Sequence, residues 1–109
     1  MTATLLAYVT LTVAIFSEVI ATSALKASDG LTRLTPSAVV IAGYGLAFIL
    51  LAQTLRVLPV GMVYAIWAGL GVVGVAFVGT FFFGEAFSVV KAAGIAMIIG
   101  GVVVVHLAG

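Results

Sequence analysis

The chain has 109 residues, of which 65% are hydrophobic and 6% charged, against about 25% charged in a typical soluble domain. A soluble fold of this size needs far more polar surface, so the composition predicts an integral membrane protein. A net charge of +1 argues against nucleic-acid binding, and the absence of cysteine excludes disulfides and thiolate metal sites.

Thirteen glycines against two prolines indicate close-packed helices, and no alternating ten-residue pattern suggests a membrane β-barrel. Segment one is expected over about residues 5–25. It lacks a basic n-region, carries Glu18 and is too long for an h-region, so it reads as a retained span. Lys26, Ser28, Asp29, Gly30 and Arg33 form a short polar connection. Thr35-Pro36 reads as an N-cap followed by proline at the first helical position, opening segment two over 36–55. Leu58-Pro59-Val60-Gly61 is a tight turn before segment three, 60–83. Gly84-Glu85 interrupts the apolar run, and Ser88 is suited to cap segment four, 88–107. The prediction is a single all-α domain spanning 1–109, with four transmembrane helices and loops too short to hold a soluble catalytic domain. No nucleophile–base pair, metal cluster or phosphate loop supports an enzyme.

Four spans place loops one and three on one side. These loops hold Lys26, Arg33 and Lys91, three of the four Lys and Arg side chains, and the positive-inside rule mildly favours their cytoplasmic placement. So weak a bias is compatible with insertion in both orientations.

Glu18 is the one charged residue deep inside a predicted span. An acidic side chain near a helix midpoint costs about 2.5–3.5 kcal/mol on insertion scales, so it needs a partner or a function. Three accounts compete: a protonated hydrogen-bonding link between helices, an ion pair, and an ionisable group open to a cavity. Every Lys and Arg lies at a segment end, which disfavours the ion pair. Helical spacing puts Leu11, Ala14, Ile15, Ala21, Thr22 and Leu25 on the Glu18 face. The small residues there leave room for a bulky group to approach. Tyr64 and Trp67, three apart, share a face of segment three, and Tyr44 adds a phenol from segment two; such rings attract cations. An interfacial aromatic belt is the competing reading, which Tyr8 fits well and Tyr64 in part. The aromatic set favours the third account of Glu18.

Gly69, Gly71 and Gly74 make segment three a candidate bend, or simply admit close packing. Gly94 and Gly101, seven apart, share one seam of segment four, which reads as a packing and dimerisation element. His106 reads as interfacial. A drug-sized pocket needs roughly 300–1,000 Å³, more than four short helices are expected to enclose, so a dimer bringing together two Glu18 side chains is expected.

Several stretches resemble the small multidrug resistance family of bacterial four-helix exporters. They are Glu18-Val19-Ile20-Ala21-Thr22 with Leu25-Lys26, Gly30-Leu31-Thr32-Arg33-Leu34-Thr35-Pro36-Ser37, and Leu50-Leu51-Ala52-Gln53-Thr54-Leu55. The most specific is Leu58-Pro59-Val60-Gly61-Met62-Val63-Tyr64-Ala65-Ile66-Trp67-Ala68-Gly69. The resemblance implies an antiparallel homodimer in the bacterial inner membrane, exporting organic cations against inward proton flow without a cofactor. It also implies that Glu18 is the shared proton and substrate site, with Ala14, Ala21 and Thr22 lining its helix face. Tyr44, Tyr64 and Trp67 would form aromatic walls, Gly69 and Gly71 the bend, and Gly94 and Gly101 the dimer seam. The guanidinium-exporting branch typically has tryptophan where this chain has Ala21, and Tyr44 matches the quaternary-ammonium branch, whereas Gly84-Glu85-Ala86 is closer to the guanidinium branch. Guanidinium export is therefore one alternative, and a non-transporting membrane subunit is a second.

Overall fold

A computed structural model describes residues 2–109. It contains four helices: α1 (Ala3–Ala27), α2 (Leu34–Thr54), α3 (Val60–Phe82) and α4 (Val89–Ala108). Each is long and apolar enough to cross a membrane; at 1.5 Å per residue, twenty residues match a hydrocarbon core of about 30 Å. Their ends lie within two residues of the spans expected from hydropathy.

The helix starts follow from local chemistry. Thr2 accepts a hydrogen bond from the Leu5 amide at 3.1 Å and caps α1, a cap the sequence reading missed. Ser88 caps α4 as expected, accepting from the Lys91 amide at 3.1 Å. The expected Thr35 cap of α2 is corrected: the helix begins at Leu34, and extended Arg33 is the N-cap without a side-chain bond. Pro36 then sits inside the first turn, where its missing N–H removes no intrahelical bond. Pro59 is the N-cap of α3, and its carbonyl accepts from the Val63 amide at 3.0 Å.

The α1–α2 connection is held by Ser28, which is fully buried. Its hydroxyl donates to the Leu25 carbonyl at 2.7 Å and accepts from the Leu31 amide at 2.9 Å. Asp29, Gly30 and Leu31 all take positive φ (51°, 71° and 68°). Glycine favours that region and aspartate tolerates it, but leucine rarely adopts it.

The chain divides into two compact units, Met1–Leu58 and Pro59–Gly109. In the first, α1 and α2 pack antiparallel: Ala3 and Leu6 share a cavity with Gln53 and Arg56, while Ser17 meets Gly43 nearer the opposite ends. In the second, α4 lies against α3 through Ile99 and Val102, whose side chains cover Gly69. A Cβ on Gly69 would collide with Val102 Cγ2. Gly69 thus lies at a close contact between the two helices, and helical bonding in α3 continues unbroken through Gly71.

Candidate functional site

The Glu18 region is built at a close approach of α1 and α2. Ala21 is fully buried, and a Cβ added at Gly43 would lie 2.8 Å from Ala21 Cβ and 3.2 Å from the Ser17 carbonyl oxygen. Only glycine at 43 allows this separation. The Ser17 hydroxyl donates to the Gly43 carbonyl at 2.8 Å, pinning α2 in register one residue before Tyr44. The Tyr44 and Thr22 hydroxyl oxygens are 2.5 Å apart, and the Thr22 hydroxyl donates to Glu18 Oε1 at 3.0 Å. Phe48 stacks on the Tyr44 ring, with centroids 6.4 Å apart and planes at 24°.

The other carboxylate oxygen, Glu18 Oε2, is buried without a hydrogen-bond partner among the described residues. A buried polar atom without a partner costs roughly 1–3 kcal/mol, so it marks either strain or a place where something binds. The ion-pair account of Glu18 gains no support within the chain. The helix-linking account gains some, because Thr22 and Tyr44 connect the carboxyl to α2.

The structure thus joins Glu18, Thr22 and Tyr44 directly. Ala14 and Ala21 are fully buried, and at Ala21 the room expected for a ligand is taken up by Gly43 of α2. Sequence reasoning missed Ser17, together with Gly43 and Phe48. A glycine beside a tyrosine in the middle of α2 was the available signal for close helix approach.

In the second unit, Tyr64 is 70% exposed and Trp67 half-buried. Gly94 and Gly101 are open: a Cβ at either would meet nothing within 4 Å. Each lies one residue before a position turned toward α3 (Ile95 or Val102), about 100° round the helix. No residue of α4 is buried.

A half-open cavity of about 540 Å³ between α3 and α4 is lined by Val73, Phe77, Phe81, Phe87 and Ile95. Its volume falls in the range of ligand pockets, yet none of the predicted site residues lines it. Thr80 also borders it, with a buried hydroxyl lacking a partner among the described residues.

Fold and site together define an α-helical, multi-pass membrane protein with a carboxyl group buried partway along its first span. The sequence model described as Small Multidrug Resistance protein matches residues 6–98, and the chain belongs to the small multidrug resistance family of membrane transporters. It is 52% identical over 100 residues to the quaternary ammonium compound-resistance protein QacF of Klebsiella aerogenes, covering 92% of this chain and 91% of that one. It is 50% identical over 97 residues to QacE of Escherichia coli, described in the same words, covering 89% and 88%. With the multidrug resistance protein EbrA of Bacillus licheniformis it shares 43% identity over 100 residues, covering 92% and 95%. The four apolar helices and these bacterial relatives identify a multi-pass protein of the bacterial inner membrane.

Proposed function

We propose that this protein exports hydrophobic organic cations, quaternary ammonium compounds among them, in exchange for protons. The observation that carries this reading is the half-satisfied carboxyl of Glu18: one oxygen is held by Thr22, and the other is buried with no partner among the described residues. A carboxylate in that setting binds a proton or an organic cation but gains little from both together, since the second positive charge has nothing left to neutralise it. Mutual exclusion of this kind is enough to couple two opposed flows, given alternating access of the site to the two sides of the membrane. Membership of the family and the printed descriptions of QacF and QacE support the substrate class.

In this reading Tyr44, Tyr64 and Trp67 offer aromatic faces to the cation. Thr22 borders the carboxyl, with Ala14 and Ala21 as small neighbours on the same helix. Two copies associate antiparallel through the open Gly94 and Gly101 seam, and Gly69 and Gly71 are where α3 flexes during the cycle. The Tyr44 match and the relatives' printed names favour quaternary ammonium over guanidinium.

The direct test is binding of tetraphenylphosphonium to purified protein across a pH range. Wild type should bind tightly at high pH and lose the ligand as pH falls, with protons released on binding. Glu18→Gln keeps the size but cannot ionise, and should neither bind in a pH-dependent way nor drive uphill export from proteoliposomes. Undiminished export by that variant sinks the proposal.

A further inference from the structure

The hydroxyls around Glu18 have a fixed direction. Thr22 has one hydroxyl proton, and it is donated to Glu18 Oε1. The bond between Thr22 and Tyr44 must therefore run the other way, with the Tyr44 hydroxyl donating to Thr22 Oγ1. The result is an ordered chain: Tyr44 to Thr22 to Glu18 Oε1. Donors lined up in this way polarise one another and hold the oxygen at the end of the chain in place. The tyrosine end is fixed by Phe48, stacked on its ring. Its backbone is fixed by the Ser17 bond and the Gly43–Ala21 contact one residue earlier.

A carboxylic acid protonated on Oε2 still accepts at Oε1, so the chain survives in both protonation states. We propose that Tyr44 is a positioning residue: acting through Thr22, it holds Glu18 Oε1 within the subunit and leaves Oε2 as the atom for which proton and organic cation compete. This rests on the exchange reading above and gives Tyr44 a role beyond its aromatic face. In the α1–α2 unit, Tyr44 is the titratable group of α2 that faces this carboxyl. Lys26, Asp29, Arg33 and Arg56 lie at or beyond the helix ends.

The test uses near-isosteric removal of each hydroxyl. Tyr44→Phe keeps the ring, and Thr22→Val keeps the branched shape. Losing a donor releases Glu18 Oε1 from the place the chain gives it. The pH of half-maximal tetraphenylphosphonium binding should therefore move away from its wild-type value in each variant. Because Tyr44 acts through Thr22, the double variant should show the same midpoint as Thr22→Val alone, and Thr22→Ser should restore the wild-type profile. An unmoved midpoint in Tyr44→Phe, or additive shifts in the double variant, overturns the positioning role while leaving exchange at Glu18 intact. Binding that ignores pH in wild type and survives in Glu18→Gln overturns the exchange reading and this inference with it.

Discussion

Ser17 on α1 donates a hydrogen bond to the Gly43 carbonyl on α2, at 2.8 Å, beside a close approach of the two helices. The bond and the missing side chain work together, since the hydroxyl reaches the carbonyl only because glycine lets the backbones come near. Gly43→Ala would push a methyl into Ala21 Cβ and should destabilise the protein by about 1–3 kcal/mol, the usual range for overpacking. Ser17→Ala removes a single interhelical bond and should cost about 0.6 kcal/mol, the average found for such bonds in a membrane protein. Reversible unfolding in mixed micelles measures both. A larger effect for Ser17→Ala than for Gly43→Ala would mean that the bond, not the close approach, fixes the register.

Trp67 is half-buried, unlike the exposed Tyr64, which sets it apart from a purely lipid-facing belt residue. Trp67→Ala should weaken tetraphenylphosphonium binding by about 1–2 kcal/mol through lost ring contact and burial. Isothermal titration at high pH gives the number. Unchanged affinity would return Trp67 to the aromatic belt.

The glycines of the second unit separate into two kinds. Gly69→Ala should weaken the α3–α4 pair because Val102 occupies the space, and Val102→Ala added to it should recover much of the loss. A Cβ at Gly101 meets nothing within 4 Å, so helix content in Gly101→Leu should stay as in wild type. If the seam is at Gly94 and Gly101, however, energy transfer between labelled subunits in proteoliposomes should fall sharply. Full dimerisation of Gly101→Leu would place the interface elsewhere.

The Thr80 hydroxyl is buried without a partner among the described residues, at the edge of an apolar cavity. Replacing such a group by a methyl of the same shape removes a desolvation cost, so Thr80→Val should be neutral or stabilising by up to about 1 kcal/mol. Clear destabilisation in the same micelle assay would mean that the hydroxyl has a partner in the membrane.

Helix number and length were legible because a span must be apolar for about twenty residues, and that signal is averaged over the whole segment. Individual starts were less so. Ser88 announced its cap, but Thr35-Pro36 looked equally good and is bypassed, because proline is tolerated anywhere in the first turn. At the site, Glu18 stood out through its cost, and Thr22 through its spacing of four. Their connection to Tyr44 was not readable, since nothing in one sequence states which turn of α2 faces which turn of α1. Ala21 illustrates the same gap: a small residue signals space, and only the packing shows that Gly43 has already filled it.

One consequence of the Thr22–Glu18 bond concerns the order of events during synthesis. Donor and acceptor sit four residues apart on α1, so the bond can form as soon as that helix has formed, before α2 has left the ribosome. The acidic residue therefore enters the lipid with one oxygen already satisfied, which lowers the cost of inserting it. Tyr44 arrives about twenty residues later, near one to four seconds at ordinary translation rates, and completes the chain once the helices pair.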